Sequence, residues 1–381
     1  MHASYDLAIL IRSLEVGGAE RQASLLASAL SQAGIRVAIV TFYAGGALSK
    51  ELIAQGIPVK FAGKRSRWDL IGFSWRLVRI FWELRPRVIY TFMPSANLAG
   101  VVIRHVARSH RLAWGIRASD MRLSHTSMFL RAVDWLEVRV ARFADVIISN
   151  SKAGRAAHLA AGFPPDSFLV IPNAIDAERF QYNHQSRLAL REKLGIPSDC
   201  PLIGTVARLD PMKDHACFLR AAAALDRMGF TGQFLCVGSG EPNYVARLKD
   251  LANQLQISQK LHLLEGVEDP TQAYSAIDVF VSSSAYGEGF SNAIGEAMAC
   301  GLPCVATDVG DAAEIVTEED SIVPVGNSEA LAHAIQKQLL RPRARVTTAG
   351  RTKVLTEFNI ARLVARTLAA LEIDPPRGDS A

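Results

Sequence analysis

A chain of 381 residues is long enough for two domains that each bury an ordinary core. Its 49% hydrophobic and 21% charged residues and net charge of +5 describe a soluble globular protein; no apolar run reaches the ~18 residues of a membrane span and no basic-then-apolar leader opens it, so a cytoplasmic location is expected. The five cysteines (Cys200, Cys217, Cys236, Cys300, Cys304) are odd in number and form no Cys-x-x-Cys, which argues against a disulfide framework and a zinc site and leaves Cys300 and Cys304 as small core residues.

Residues 6–11 read as an apolar strand, Gly17-Gly18-Ala19-Glu20 opens a helix to about Ala33, Gly34 ends it, and residues 37–42 form the next strand. This strand, glycine turn, helix, strand order implies a parallel sheet. Gly17 and Gly18 allow backbone to approach a phosphate, but they lack the spacing of a dinucleotide fingerprint. Further strands are predicted at 59–61, 88–91, 112–116, 146–149 and 168–171, with helices between them, notably 95–108 and 127–142.

Residues 66–87 place Leu70, Phe73, Leu77, Ile80, Phe81 and Leu84 on one helical face, with Arg76, Arg79 and Arg85 beside it and three tryptophans nearby. Such a helix either lies in a lipid interface or packs on the sheet with a solvated basic edge. From Lys60 to Arg142 the chain has sixteen basic against five acidic residues, and outside that span it is net acidic. An asymmetry of this size suggests a negative partner surface, phospholipid or nucleic acid; no base-reading module accompanies it.

Residues 181–200 are polar, end in Gly195-Ile196-Pro197 and read as an interdomain connection with one short helix. A second series of strands follows at 202–206, 233–237, 261–264, 279–282 and 303–306. Two doubly wound parallel-sheet domains are therefore expected, 1–185 and 186–356, facing a cleft at their strand C-termini.

Three stretches of the second half carry chemistry. Arg208 and Lys213 follow the strand 202–206, where a guanidinium fork and a mobile ammonium suit a diphosphate; alternatively they pair at the surface with Asp210 and Asp214. The glycine turn at Gly238 lets a nucleotide pass close to backbone, and the turn at Gly266-Val267 could meet its base, although glycine turns also merely end strands. Finally, EGFSNAIGEAMACG at 288–301 places glycines before a helix opening near Phe290, an anion seat through its free N–H groups and dipole. Glu288 and Glu296, eight residues apart, would stand ~12 Å apart at 1.5 Å per residue, too far for a glycoside hydrolase pair at roughly 5 to 9.5 Å. They suit separate contacts along an elongated ligand. No Asp-x-Asp occurs to carry a divalent ion, so Arg208, Lys213 and the helix mouth are expected to take that role.

The segments GGAE at 17–20, IPNAID at 171–176, VARLDPMKDH at 206–215, VGSGEP at 237–242 and EGFSNAIGEAMACGLPCVATDVGDAAEIV at 288–316 resemble, in order and spacing, a retaining family 4 glycosyltransferase of the GT-B fold, over nearly the whole chain. The resemblance implies an α/β protein with two Rossmann-like domains, a C-terminal helix over 357–373 that crosses back onto the first of them, and metal-independent sugar transfer from a nucleotide sugar, which is a substrate rather than a cofactor. Arg208 and Lys213 match the residues that hold the diphosphate, Glu288 the one contacting the donor sugar, and Glu296 the one bonding the ribose. Backbone at Gly289 and Phe290 matches the sugar and phosphate contacts at the helix mouth, and Gly17 the glycine opposing them; Ser291 at that mouth, Gly18 beside Gly17, and Gly238 and Val267 in their glycine turns are further candidate contacts to the nucleotide sugar. Two departures stand out. Arg117, in WGIRASD, takes the place of a histidine common in the family, so Arg117 and Asp120 are candidate acceptor contacts. Asn173-Ala174 replaces a frequent Asn-Gly, which asks that turn to avoid positive φ. The expected reaction moves a hexose or N-acetylhexosamine from a UDP- or GDP-sugar to a lipid-linked or saccharide acceptor at an anionic membrane surface, for a surface polysaccharide. A nucleotide-sugar-binding adaptor that has lost chemistry at Arg117 is the alternative.

Overall fold

The computed structural model describes residues 5–15, 17–66, 68–69, 71–107, 109, 111–119, 128–266, 269–341 and 343–374. They form two compact units: residues 1–174 with 360–381, and residues 175–359.

The first unit holds β1 (Leu7–Ile11), β2 (Val37–Thr41), β3 (Val59–Phe61), β4 (Val88–Phe92), β5 (Arg111–Ile116), β6 (Val146–Ser149) and β7 (Phe168–Val170). Between them run α1 (Gly18–Gln32), α2 (Ala47–Ala54), α3 (Ile71–Leu84), α4 (Pro94–Ala107), α5 (Met128–Val140) and α6 (Lys152–Ala160). All strand pairs are parallel, in the order β3-β2-β1-β4-β5-β6-β7. β1 is apolar throughout because it is covered on both faces: Leu7, Ile9 and Ile11 enter one core with Leu26 and Leu30 of α1, while Ala8 and Leu10 enter the other with Phe73, Leu77 and Phe81 of α3.

α3 thus packs on the sheet through the face predicted for it, with Phe73, Leu77, Phe81 and Leu84 buried and Ile80 packed beside them; Leu70 lies outside the described residues. Trp75 and Trp82 remain 62% and 59% exposed on its outer side.

The second unit holds α7 (His184–Lys193), β8 (Leu202–Val206), α8 (His215–Arg227), β9 (Gln233–Val237), α9 (Pro242–Gln254), β10 (Leu261–Leu264), α10 (Pro270–Ala276) and β11 (Val279–Ser282). It continues with α11 (Asn292–Ala299), β12 (Cys304–Thr307), α12 (Ala312–Ile315), β13 (Ile322–Val323), α13 (Ser328–Leu339) and α14 (Arg343–Glu357). Its parallel sheet runs β10-β9-β8-β11-β12-β13. α8, α9 and α13 cover one face; α7, α10, α11 and α14 cover the other. The last helix, α15 (Ile360–Leu371), belongs to the first unit, where Leu363, Leu368 and Leu371 join the core of α1.

The break between units falls at Ala174, earlier than the boundary at 185 read from composition. Ile175 N–H donates to the Phe358 carbonyl at 2.8 Å, and Phe180 meets the Tyr274 ring at 6.1 Å, so this stretch is already part of the second core. Residues 181–200 are not a connection either. Their polarity includes buried Arg187 and Arg191, whose guanidinium groups reach Asp278 at 2.9 Å each while Arg191 Nε donates to the Ala276 carbonyl at 2.9 Å. Buried charge that is paired and hydrogen-bonded reads as surface in a composition window.

Candidate active site in the second unit

The strand order of the second sheet reverses between β8 and β11, and in open parallel sheets the loops leaving the strand C-termini at such a reversal form the ligand crevice. Those loops carry Arg208 to Lys213 and Ser283 to Ser291.

After β8, Asp210 caps the 3-10 turn Pro211–Lys213 and Asp214, with φ of +41°, caps α8 by accepting from the Cys217 N–H at 3.1 Å. Lys213 Nζ forms an ion pair with Glu288 Oε1. The loop after β11 is sewn to it: Ala285 N–H donates to the Met212 carbonyl at 2.8 Å and Ser283 Oγ to the Lys213 carbonyl at 2.9 Å. Ser284 Oγ donates to Glu288 Oε1 at 2.7 Å, and Thr307 Oγ1 anchors the Ser284 carbonyl at 2.6 Å. Glu288 is 8% exposed. Burial acts to raise its pKa, but the Lys213 charge, the hydrogen bonds from Lys213 and Ser284 and the Arg208 charge outweigh it and hold the carboxyl below its usual range. Glu288 is therefore a carboxylate at neutral pH and accepts hydrogen bonds only.

Arg208 is not part of that pair. Its guanidinium is 67% exposed and meets Asp210 at 3.1 Å, the surface pairing that the sequence left open. Gly238 also has a local explanation: a Cβ there would stand 1.8 Å from the Ala207 carbonyl oxygen, so the missing side chain makes room for the β8 loop. Val267 and Asp120 lie outside the described residues.

The helix opens later than expected. α11 begins at Asn292, with Ser291 at its N-cap and no side-chain cap bond, so the ~12 Å taken for Glu288 to Glu296 does not apply, because residues 288–291 are not helical. Phe290 is a core side chain, its ring 4.9 Å from that of Phe358. What Gly289 supplies is backbone: its carbonyl accepts from the Asp311 N–H at 3.1 Å. Glu296, 7% exposed, accepts from the Tyr274 hydroxyl at 2.8 Å. Sequence reasoning did not single out Ser283, Ser284, Thr307, Gly310 or Tyr274. Gly310, at φ of +63°, passes so close that a Cβ would lie 2.5 Å from the carbonyl oxygens of both Glu288 and Gly289.

In the first unit, the sheet order reverses between β1 and β4, and Gly17 follows β1 as the N-cap of α1, with the Glu20 carboxylate folded over it and Gly18 exposed. Arg117 follows β5. Its Nη2 donates to Tyr90 Oη at 2.7 Å and its Nη1 to Asn173 Oδ1 at 3.1 Å, and the guanidinium stacks 4.2 Å from the Phe92 ring. Neither Asn173 nor Ala174 adopts positive φ.

The family described as "Glycosyltransferase Family 4" matches residues 16–179, and that described as "Glycosyl transferases group 1" matches 186–353. A D-inositol 3-phosphate glycosyltransferase of Saccharomonospora viridis is 34% identical over 48% of this chain and 44% of its own length. The capsular polysaccharide biosynthesis glycosyltransferase CapM of Staphylococcus aureus is 25% identical over 74% of this chain and 76% of its own. The chain spans about half the length of the first curated relatives it matches. The crystal structure of Alr3699/HepE from Anabaena in complex with UDP-glucose superposes with a TM-score of 0.84 at 25% identity, over 96% of this chain and 100% of that one. With both halves matched in order and both sheets of the expected kind, the chain belongs to the family 4 glycosyltransferases of the GT-B fold.

Proposed function

We propose that this protein transfers a hexosyl or N-acetylhexosaminyl group, with retention of anomeric configuration, from a UDP- or GDP-sugar to a lipid-linked or saccharide acceptor of a cell-surface polysaccharide. The observation that carries this reading is the Lys213–Glu288 pair at the strand-order reversal of the second sheet. The HepE structure with UDP-glucose supports a UDP-hexose as donor, and the likeness to CapM supports a polysaccharide product.

In the proposed step the bond from the anomeric carbon to the diphosphate oxygen breaks and the acceptor oxygen bonds to that carbon from the same face. The acceptor's proton passes to the departing phosphate oxygen. Lys213 neutralises the charge that develops there, and Arg208, whose exposed pairing with Asp210 holds it only weakly, turns to the diphosphate as well. Glu288 stays ionised and accepts from the sugar hydroxyls; Glu296 bonds the ribose. Backbone N–H groups at Gly289, Phe290 and Ser291 complete the diphosphate seat. Arg117 and Asp120 serve the acceptor.

Measuring sugar release and transfer from a panel of UDP- and GDP-sugars tests the reading. Lys213→Ala is expected to lower kcat by roughly 10² to 10³, the usual cost of removing a donor aimed at developing charge. Donor binding without hydrolysis or transfer in the unaltered protein would instead favour the adaptor.

Work at the inner face of a membrane is part of the proposal. Among the described residues no helix is long and apolar enough to cross a membrane. The first unit does expose Trp68, Ile71, Trp75, Trp82 and Trp135, with Arg79, Arg85 and Arg139 within cation–π distance of the last three. That combination suits an anionic lipid surface. Partition onto anionic vesicles is expected to fall steeply as salt rises and to weaken in Trp75→Ala/Trp82→Ala; binding indifferent to both removes this part.

A further inference from the structure

In the first unit the ends of β4 and β5 and the facing sides of α5 and α6 enclose a cavity of about 200 Å³. That is below the size of sites for drug-sized ligands, roughly 300 to 1,000 Å³, and suits a ligand of about one ring. Ile116, Val138 and Phe163 give it apolar walls, and Arg117, Asp134 and Glu137 line it with charge.

Glu137 is 4% exposed, deep for a carboxyl group. Asn97 Nδ2 donates to its Oε1 at 2.9 Å, and Asn97 is itself fixed by the Thr91 hydroxyl, which donates to Asn97 Oδ1 at 2.6 Å. Among the described residues nothing donates to Oε2 and no cation pairs with the carboxyl. Arg117 is unfinished in the complementary sense: its Nε is buried and, among the described residues, has no acceptor. A donor and an acceptor thus lack partners in one small cavity with apolar walls.

The chemistry of the missing partner follows from these charges. An anion would satisfy Arg117 but stand beside Asp134 and Glu137; a cation would satisfy the carboxyls but stand beside Arg117. A hydroxyl accepts from the guanidinium and donates to the carboxylate without added charge, and a pyranose ring presents C–H faces to Phe163 and Val138. We propose that this cavity binds one ring of a neutral saccharide, with Arg117 donating to a ring substituent and Glu137 accepting from a hydroxyl. Identifying that saccharide as the acceptor rests on the transferase reading; occupancy of the cavity does not.

Binding should depend on pH. Burial and the neighbouring Asp134 charge raise the Glu137 carboxyl to about 7, against the hydrogen bond from Asn97. The groups around it are Asp134 on its own helix, neutral Asn97 on α4, Arg117 beyond β5 and His158 on α6, whose Nδ1 meets the Gly154 carbonyl at 2.8 Å and so carries a proton there. A hydroxyl that donates to Glu137 favours the ionised form, so binding releases a proton and tightens as pH rises towards about 7.

Methyl glycosides of glucose, mannose and N-acetylglucosamine, with glucuronate and glucosamine as charged counterparts, can be titrated into the whole protein by ligand-observed NMR. At least one neutral glycoside is expected to saturate the site, to weaken by up to about tenfold per pH unit below 7, and to outcompete both charged sugars. Glu137→Gln should flatten that pH profile, and Ala161→Phe, which fills the cavity, should abolish binding even if the first variant fails to fold. Saturation by no neutral glycoside, preference for a charged sugar, an unchanged slope in Glu137→Gln, or binding retained in Ala161→Phe each overturns the proposal. UDP-glucose, UDP-N-acetylglucosamine and GDP-mannose titrated into the same samples report the second unit separately. Failure of all three with glycoside binding intact sinks the transferase reading and leaves this one standing.

Discussion

Single residues decide more here than their neighbours in sequence suggest. Lys213 and Glu288 each stand out in the sequence as a candidate ligand contact, but their pairing does not: seventy-four residues separate them, and it takes the adjacency of β8 and β11 to bring their loops together. Gly310 shows the same limit. Within GDAAEIV it reads as an ordinary turn, yet it abuts the carbonyls on either side of the seat. Gly310→Ala is expected to displace residues 288–289 and to lower donor affinity by tenfold or more while costing on the order of 2 kcal/mol, from positive φ and the clash together; donor titration and chemical denaturation check the two effects.

Glu137 gives a signed prediction. Its pKa of about 7 in the fold exceeds that of an unfolded glutamate, so the folded protein holds the proton more tightly, and this contribution to stability is fully present below about pH 4.5 and is lost as pH rises through about 7. Glu137→Gln should therefore raise Tm at pH 8, by an increment on the order of 3 kcal/mol at most, and change it little at pH 5. His215 carries the opposite sign. Burial first, and the Lys213 charge second, lower its ring to about 4, so stability present above about pH 6.5 is lost as pH falls towards 4. His215→Gln should blunt the acid-side loss seen in pH-dependent melting.

At the scale of elements, amphipathic period was a reliable guide to which faces are buried and silent about what meets the other face. α3 is the clearest case: its predicted apolar stripe packs on the sheet, while the tryptophans that made it resemble an interfacial helix point away from the core. Phe81→Ala should cost about 3 to 5 kcal/mol, as large-to-small changes in cores do, and Trp82→Ala within about 0.5 kcal/mol; urea denaturation of the two variants separates them. Period failed in two places. Residues 288–291 look helical but lie outside α11, with the Gly289 carbonyl hydrogen-bonded to Asp311 and Glu288 paired with Lys213, and α7 looks like a linker because its arginines are spent inside.

Across the whole molecule, the first unit closes with a segment that is remote in sequence. α15 contributes Leu363, Leu368 and Leu371 to the core of the first unit. At about 1.5 to 3 kcal/mol for each buried leucine, removing residues 360–381 withdraws on the order of 5 kcal/mol or more, a large share of a domain's usual 5 to 15. Calorimetry of the truncated chain should show the first unit's transition lost or sharply lowered and the second unit's kept.

The sequence by itself determined the alternation of strands and helices, the two parallel sheets and the family, because these rest on local period, glycine placement and motif spacing. Tertiary structure alone decided where the units divide, that Glu288 is held ionised by Lys213 and Ser284, that Arg208 pairs with Asp210, and that Glu137 and Arg117 share a cavity. Those facts depend on strand order and burial, which bring residues far apart in the chain within a few ångströms and change the charge they can hold.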